Sequence, residues 1–375
     1  MSGVLEEHLG YLSLHGRLDL YRKAVEKIVR PGDRVVDVGC GTAVLGLLCL
    51  QAGAAHLYAI DSTAVIEVAR EAFTRAGWVS KTEFIHGSSY QVDVPDRADV
   101  IICDHMGYFG FDYGLIGFLA DARRRFLKPG GMLIPGRLKL HVVAVESQKS
   151  HQLIEAWQAP GIPPEFHWIR QRAVNSKHAV MLLHGELLTD AAQLGCIDLQ
   201  AENPDFFSWS AQLTVERDGV LHGLAGWFEC ELAEGVWMTN SPLSDSRIDR
   251  SQAFLPIDAA LLVKAGDRLD VTVMARPADH VIAWVVAHPA SGRRFSHSTW
   301  EGNLLDREQI MRSNPEHIPH VSKTAHARSV VLGYCDGQRS VAKVQESVLR
   351  DHAALFPSTE EITRFVKTVL SRDTQ

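Results

Sequence analysis

The segment Asp37-Val38-Gly39-Cys40-Gly41-Thr42 sets a carboxylate two residues ahead of a glycine pair, and Asp61 follows Gly41 by 20 residues. Glycines let backbone approach a ligand with no Cβ in the way. A helix beginning just after them favours an anionic or carboxylate group at its N-terminus. An acid at the end of the next strand can accept the hydrogens of both ribose hydroxyls. The earlier acid suits an ammonium. Together these groups fit a nucleoside that carries an amino acid and a sulfonium, S-adenosylmethionine (SAM). The dinucleotide alternative wants a third glycine where Val44 stands. A purely structural glycine turn is the remaining alternative.

The elements that would hold this loop are legible on both sides of it. Val35–Val38, Leu57–Ile60 and Val100–Cys103 read as short buried strands, and Ala43–Ala52, Thr63–Ala76 and Leu115–Leu127 as helices closed by Gly53, Gly77 and Pro129-Gly130-Gly131. Such alternation predicts a parallel, doubly wound, Rossmann-like sheet. From about Leu138 the pattern turns strand-like (139–145, 179–184, 211–215, 226–232, 269–275), which predicts an antiparallel β-barrel-like domain interrupted by a polar helical stretch, Gln148–Lys177. From about Asp306, Val341, Val344 and Val348 share one helix face. Ser358 caps a second helix, with Glu361 three residues on. The expected organisation is a SAM-binding Rossmann-like domain over 1–137, an α/β fold with N-terminal helices. A β-barrel-like substrate and dimerisation domain follows over 138–305, with an inserted arm at 148–177, then a small helical module at 306–375.

Val35–Asp61 resembles the cofactor region of class I methyltransferases. Other segments are similar to the protein arginine N-methyltransferases, as a divergent, bacterial-type member: Arg30-Pro31-Gly32-Asp33, Asp99–Phe109, Phe126–Pro135, Gly226-Trp227-Phe228 and Asn240-Ser241-Pro242. The resemblance implies that Arg17, spaced from His8 and Tyr21 as in that family, pairs with the SAM carboxylate. It places Ser62 beside Asp61 in the cofactor site and Ser89 and Tyr90 in a loop that contacts the adenine. It also implies a homodimer joined through the arm, where Trp157, Phe166 and Trp168 would lie exposed.

The acceptor end departs from that family. Its first glutamate is here Asp104, about 1.5 Å shorter in reach, and the neighbouring tryptophan is His105. The second glutamate position holds Tyr113, with Asp112 beside it, and the best match to a later threonine-histidine-tryptophan motif is Ile248-Asp249-Arg250. Two readings follow. Either Asp104 and Asp112 clamp a cationic acceptor with Asp249 in place of the histidine, or Asp104 or His105 acts as general base for another nucleophile. A structural role for each, Asp104 capping its loop and His105 packing, is the third. His280, alone at a strand start, reads as structural.

Composition removes other classes. The net charge is −7 with no basic tract, against a nucleic-acid or anionic-membrane binder. Six scattered cysteines without C-x-x-C give no disulfide framework or metal spacing, so a reducing, cytoplasmic setting and no metal are expected. No signal peptide and no stretch of about 18 apolar residues is seen. The segment Leu332–Val341 resembles the small helical peptide-binding modules of peptide-modifying enzymes, which implies a peptide substrate with a leader segment. Three functions stand: SAM-dependent N-methylation of a peptide or protein side chain, arginine-type or a related nitrogen; N- or O-methylation of a small molecule; and a non-catalytic SAM-binding scaffold, which Ala43 in a usual glycine position allows.

Overall fold

A computed structural model describes residues 2–374. The chain forms two compact units, the first ending at Asn303 and the second starting at Leu304. The boundary expected at 137/138 is not a break in packing. One apolar core runs from Tyr21 in the N-terminal helices through Phe109 and Phe111 to Leu138, Phe228 and Trp284.

Two helices open the first unit, α1 (Ser2–Ser13) and α2 (Arg17–Ile28). Then come β1 (Arg34–Val38), α3 (Val44–Gln51), β2 (His56–Asp61), α4 (Ile66–Ala76), β3 (Thr82–His86), β4 (Ala98–Ile102), α5 (Leu115–Phe126) and β5 (Leu127–Ile134). The five strands are parallel in the order β3-β2-β1-β4-β5. Strands β1, β2 and β4 are apolar almost throughout because helices cover both sheet faces. The order reverses between β1 and β4, which opens a crevice beyond their carboxyl ends.

Two boundaries differ from the sequence expectation. Helix α4 starts at Ile66 rather than Thr63, because the Thr63 amide and hydroxyl both donate to Asp61 and keep the intervening residues in a turn. Pro129-Gly130-Gly131 does not merely stop α5 but lies within β5, where Gly131 is required: a Cβ there would stand 2.8 Å from the Asp99 carbonyl.

The first unit continues with β6 (Arg137–Val145), α6 (Gln148–Glu155), α7 (Ile169–Val174), β7 (His178–Val180), β8 (Ala192–Asp198), β9 (Phe207–Thr214) and β10 (Gly219–Ala233). It closes with β11 (Val236–Thr239), β12 (Gln252–Val263), β13 (Arg268–Arg276), β14 (Val281–His288), β15 (Arg293–Ser298) and α8 (Thr299–Gly302). These strands build two antiparallel sheets, β7-β12-β10-β6-β8 with β11 on β10, and β15-β14-β13-β9, in a β-barrel-like arrangement. Strand β12 escapes a reading by alternation because its first half is buried on both faces and includes Pro256. The 148–177 arm is α6, α7 and two single 3₁₀ turns between them.

The second unit contains α9 (Arg307–Arg312), α10 (Lys323–Gly333), α11 (Val341–His352) and α12 (Thr359–Asp373). Ser322, Ser340 and Ser358 each accept a backbone amide at a helix N-terminus, and Val331, Val344, Val348, Ile362, Val366 and Val369 form its own core.

Candidate active site

A cleft of about 730 Å³ opens at the switch point, within the size range of small-molecule sites. Arg17, Asp37, Gly39, Gly41, Asp61, Ser62, Ser89, Tyr90, Asp104 and His105 all line it. Of the expected acceptor-end residues, Asp112 and Asp249 are turned elsewhere.

Gly39 (φ 67°) and Gly41 (φ 54°) take the left-handed backbone that carries β1 into α3. A Cβ on Gly41 would stand 2.9 Å from the His8 ring, so helix α1 comes down onto the loop only because glycine is there. Ala43 is also left-handed (φ 56°), at the position where glycine was expected, at a cost of about 1 kcal/mol. Asp37 is buried and accepts the Gly46 amide at 2.8 Å, but burial still pushes its carboxyl up to about 7. Gly46 was not singled out in the sequence; a Cβ on it would stand 2.5 Å from Leu57 on β2, so it supplies the close helix–strand approach.

Asp61 Oδ2 accepts the Gly41 amide at 2.8 Å, and Oδ1 accepts the Thr63 amide at 2.8 Å and the Thr63 hydroxyl at 2.6 Å. Three of its roughly four acceptor sites are thus in use, so both ribose hydroxyls can be accepted only if the Thr63 hydroxyl turns away. The Ser89 loop is fastened from α5: Arg125 donates to the Ser89 carbonyl and, at 2.7 Å, to that of Val92. Tyr90 is exposed at the rim, edge-on to Phe118 at 6.3 Å. The glycine loop, the paired acids and the polar rim fit SAM.

Asp104 follows β4, and Arg17 donates from Nε to its Oδ2. Both side chains are 5% exposed. Arg250 stands behind, 3.6 Å from the same oxygen, and donates to the Met106 carbonyl at 2.9 Å. Asp104 Oδ1 is buried with no partner. His105 stacks on Phe118 at 5.1 Å and lies 6.4 Å from Tyr113; loss of solvent holds its imidazole below the usual histidine range. Tyr113 and His280 complete this end of the cleft. His280 is therefore not simply structural: it sits in the left-handed region (φ 54°) after Pro277–Asp279, which a reading by strand pattern could not foresee.

Two expectations for the acceptor end are corrected. Asp112 does not face the cleft. Gly107 and Gly110 pair as a tight turn, the chain folds back under it, and Asp112 accepts the Phe109 amide at 2.9 Å and a bond from Lys177. Asp249 does not replace a histidine either: it points to solvent, and Arg250 turns inward. The buried amide of Asn240 braces this wall, donating to the Tyr108 carbonyl at 2.9 Å and the Ser251 carbonyl at 2.7 Å while accepting the Phe228 amide at 3.0 Å. Among the described residues, no three His, Cys, Asp or Glu side chains gather as a metal site, and no helix is long and apolar enough to cross a membrane.

Fold and site define a class, the Rossmann-like methyltransferase domain. Residues 35–131 match the methyltransferase domain family, and residues 137–284 match the arginine methyltransferase oligomerization subdomain. The chain is thus similar to the protein arginine N-methyltransferases. It is 30% identical over 238 residues to probable protein arginine N-methyltransferase 6.2 of Oryza sativa subsp. indica, covering 61% of this chain and 60% of that one. It is 28% identical over 200 residues to protein arginine N-methyltransferase 1.1 of Arabidopsis thaliana, covering 52% and 51%. The chain therefore spans about 60% or less of these relatives' length. They are plant proteins and give the bacterial-type expectation no support. In fold it is similar to the Trypanosoma brucei PRMT1 enzyme-prozyme complex with AdoHcy (TM-score 0.69, 19% identity, 78% of this chain and 96% of that one). Protein arginine methyltransferase 10 of Arabidopsis thaliana is equally similar (TM-score 0.69, 19% identity, 79% and 98%).

Proposed function

We propose that this chain is a SAM-dependent methyltransferase that methylates a nitrogen of a peptide or protein side chain, arginine-type or related. The observation that carries this is the placement of the Asp37–Gly41 loop, Asp61, Arg17 and Asp104 around one cleft. Bound SAM would supply an electrophilic methyl group whose transfer releases a neutral thioether. Arg17 would hold its carboxylate with the guanidinium N–H groups that Asp104 and the Tyr11 carbonyl leave free, and Asp37 would face its ammonium. Asp104 and His105 line the cleft where an acceptor nitrogen would meet that methyl group. The nitrogen's surplus proton would pass to Asp104 or to His105, whose imidazole is held below the usual histidine range by loss of solvent.

The arm supports a homodimer: Trp157, Phe166 and Trp168 are 38%, 51% and 57% exposed on it. The helical unit from Leu304 supports a peptide-binding role, with Val341 and Leu349 exposed on α11. A small-molecule acceptor is the second reading, favoured by Tyr113 standing where the family's second acid was expected. Calorimetric titration of S-adenosylhomocysteine tests the cofactor assignment, and absence of binding would sink it. Labelled SAM with cell extract then separates the acceptors: label in macromolecules supports a side chain, label in the small-molecule fraction the second reading.

A further inference from the structure

The carboxylates of Glu7, Asp37, Asp61 and Asp104 line the cleft. The last three are engaged from within the chain. Asp37 accepts the Gly46 amide, Asp61 accepts the Gly41 amide and both Thr63 groups, and Asp104 is held by Arg17 with Arg250 behind it. Glu7 differs. It is exposed on α1, and among the described residues no cation pairs with it; its Oε1 accepts the Tyr11 hydroxyl at 3.2 Å.

The fold sets this open charge at the acceptor end. Glu7 and Tyr11 stand one turn apart on a single face of α1. The Tyr11 carbonyl accepts Arg17 Nη1 at 3.3 Å, which seats that face on the Arg17–Asp104 pair. Partial burial pushes the Tyr11 phenol up; Glu7 and Asp104 push the same way and Arg250 opposes them, so the hydroxyl lies within reach of all three charges. Tyr113, in the second glutamate's place, lines the same cleft. A guanidinium carries five N–H donors in a fixed fork, which a carboxylate meets with two parallel bonds. An exposed carboxylate also keeps its hydration until the acceptor arrives, so the empty site carries no buried unpaired charge.

Resting on the methyl-transfer reading above, we propose that Glu7 is the second acid of the acceptor site, supplied from α1 where the loop after β4 offers Tyr113, and that it binds the guanidinium of an arginine-type acceptor directly. Tyr11 is a positioning residue that acts through Glu7: its hydroxyl holds one carboxylate oxygen and leaves the other for the acceptor.

The test titrates methylguanidinium and its uncharged isostere methylurea against the full chain, with and without S-adenosylhomocysteine, by ligand-observed NMR. Wild type should prefer the cation at least about tenfold, and E7Q should remove that preference. E7D should restore part of it, and Y11F should weaken cation binding by a smaller factor, about threefold. E6Q, which removes a neighbouring charge that does not line the cleft, should leave the preference as it is. S-adenosylhomocysteine affinity should stay level in every variant. Equal binding of the two probes by wild type overturns the proposal, a result that does not depend on any variant. An E7Q preference as large as that of wild type, or an equal loss in E6Q, overturns it as well. So does a matching fall in S-adenosylhomocysteine affinity in E7Q, which assigns Glu7 to the seating of α1. Failure of wild type to bind S-adenosylhomocysteine sinks the methyl-transfer reading instead, while the probe titrations without it still decide this one.

Discussion

Arg17 and Asp104 lie 87 residues apart in the chain and meet as a buried ion pair on the floor of the cleft. The pair joins the N-terminal helices to the end of β4, so one contact fixes both a cofactor-facing cation and an acceptor-facing acid. Replacing Arg17 by Met should leave the Asp104 charge with Arg250 alone, at a cost of about 3 kcal/mol, because removing one partner of a buried pair strands the other. The same variant should lose S-adenosylhomocysteine affinity by about 10–100-fold. Thermal unfolding and calorimetry measure the two effects; unchanged values in both would remove Arg17 from the site.

Asp37 gives the site its pH dependence. With its folded carboxyl near 7 against an ordinary 3.8, the folded state holds a proton that the unfolded chain sheds, so this group costs stability as pH rises between those values. A ligand ammonium reverses the preference. Affinity for S-adenosylhomocysteine should fall roughly tenfold per pH unit below about 7 and level off above it. D37N should flatten the profile. Calorimetry in buffers of different ionisation enthalpy counts the proton released; no release below pH 7 contradicts the assignment.

Ala43 carries strain that a glycine would not. A43G should raise stability by up to about 1 kcal/mol, since the left-handed backbone costs alanine more than the added freedom of unfolded glycine takes back. Cofactor affinity should stay level, because the Ala43 methyl does not line the cleft. Urea unfolding with an unchanged slope decides it, and a destabilised A43G would mean that its buried methyl contributes more to packing than the strain removes.

How far the sequence reveals all this depends on how local each feature is. The glycine loop, Asp37 and Asp61 are legible because two adjacent strand–turn–helix units carry them, and their roles follow from position within each unit. Asp112 and Asp249 are misread for the converse reason. Whether the Asp112 carboxylate faces the cleft depends on which cation from a distant segment reaches it, and Lys177 comes from the barrel half, while Asp249 is left exposed because its neighbour Arg250 takes the inward place. His280 enters the cleft through a turn between β13 and β14 that pattern alone leaves outside. Strand β12 is hidden by burial on both faces.

The arm aromatics predict an assembly. Phe166 and Trp168 replaced together by Ser should shift the chain to a lighter species in light scattering while the thermal transition is kept, because both side chains are more than half exposed in the isolated chain. Unaltered mass would assign the arm to its own subunit.

Asn240 ties the Tyr108 carbonyl, the Ser251 carbonyl and the Phe228 amide together with a single buried side chain. The wall opposite the donor is thus joint property of the parallel-sheet half and the barrel half. Grafting the barrel of a relative onto this half would disturb the wall at Tyr108 and leave the cofactor loop Asp37–Gly41 untouched. A fragment cut at residue 136 would keep that loop but bare Phe109 and Phe111 to water, which makes acceptor choice a trait that the two halves can only inherit together.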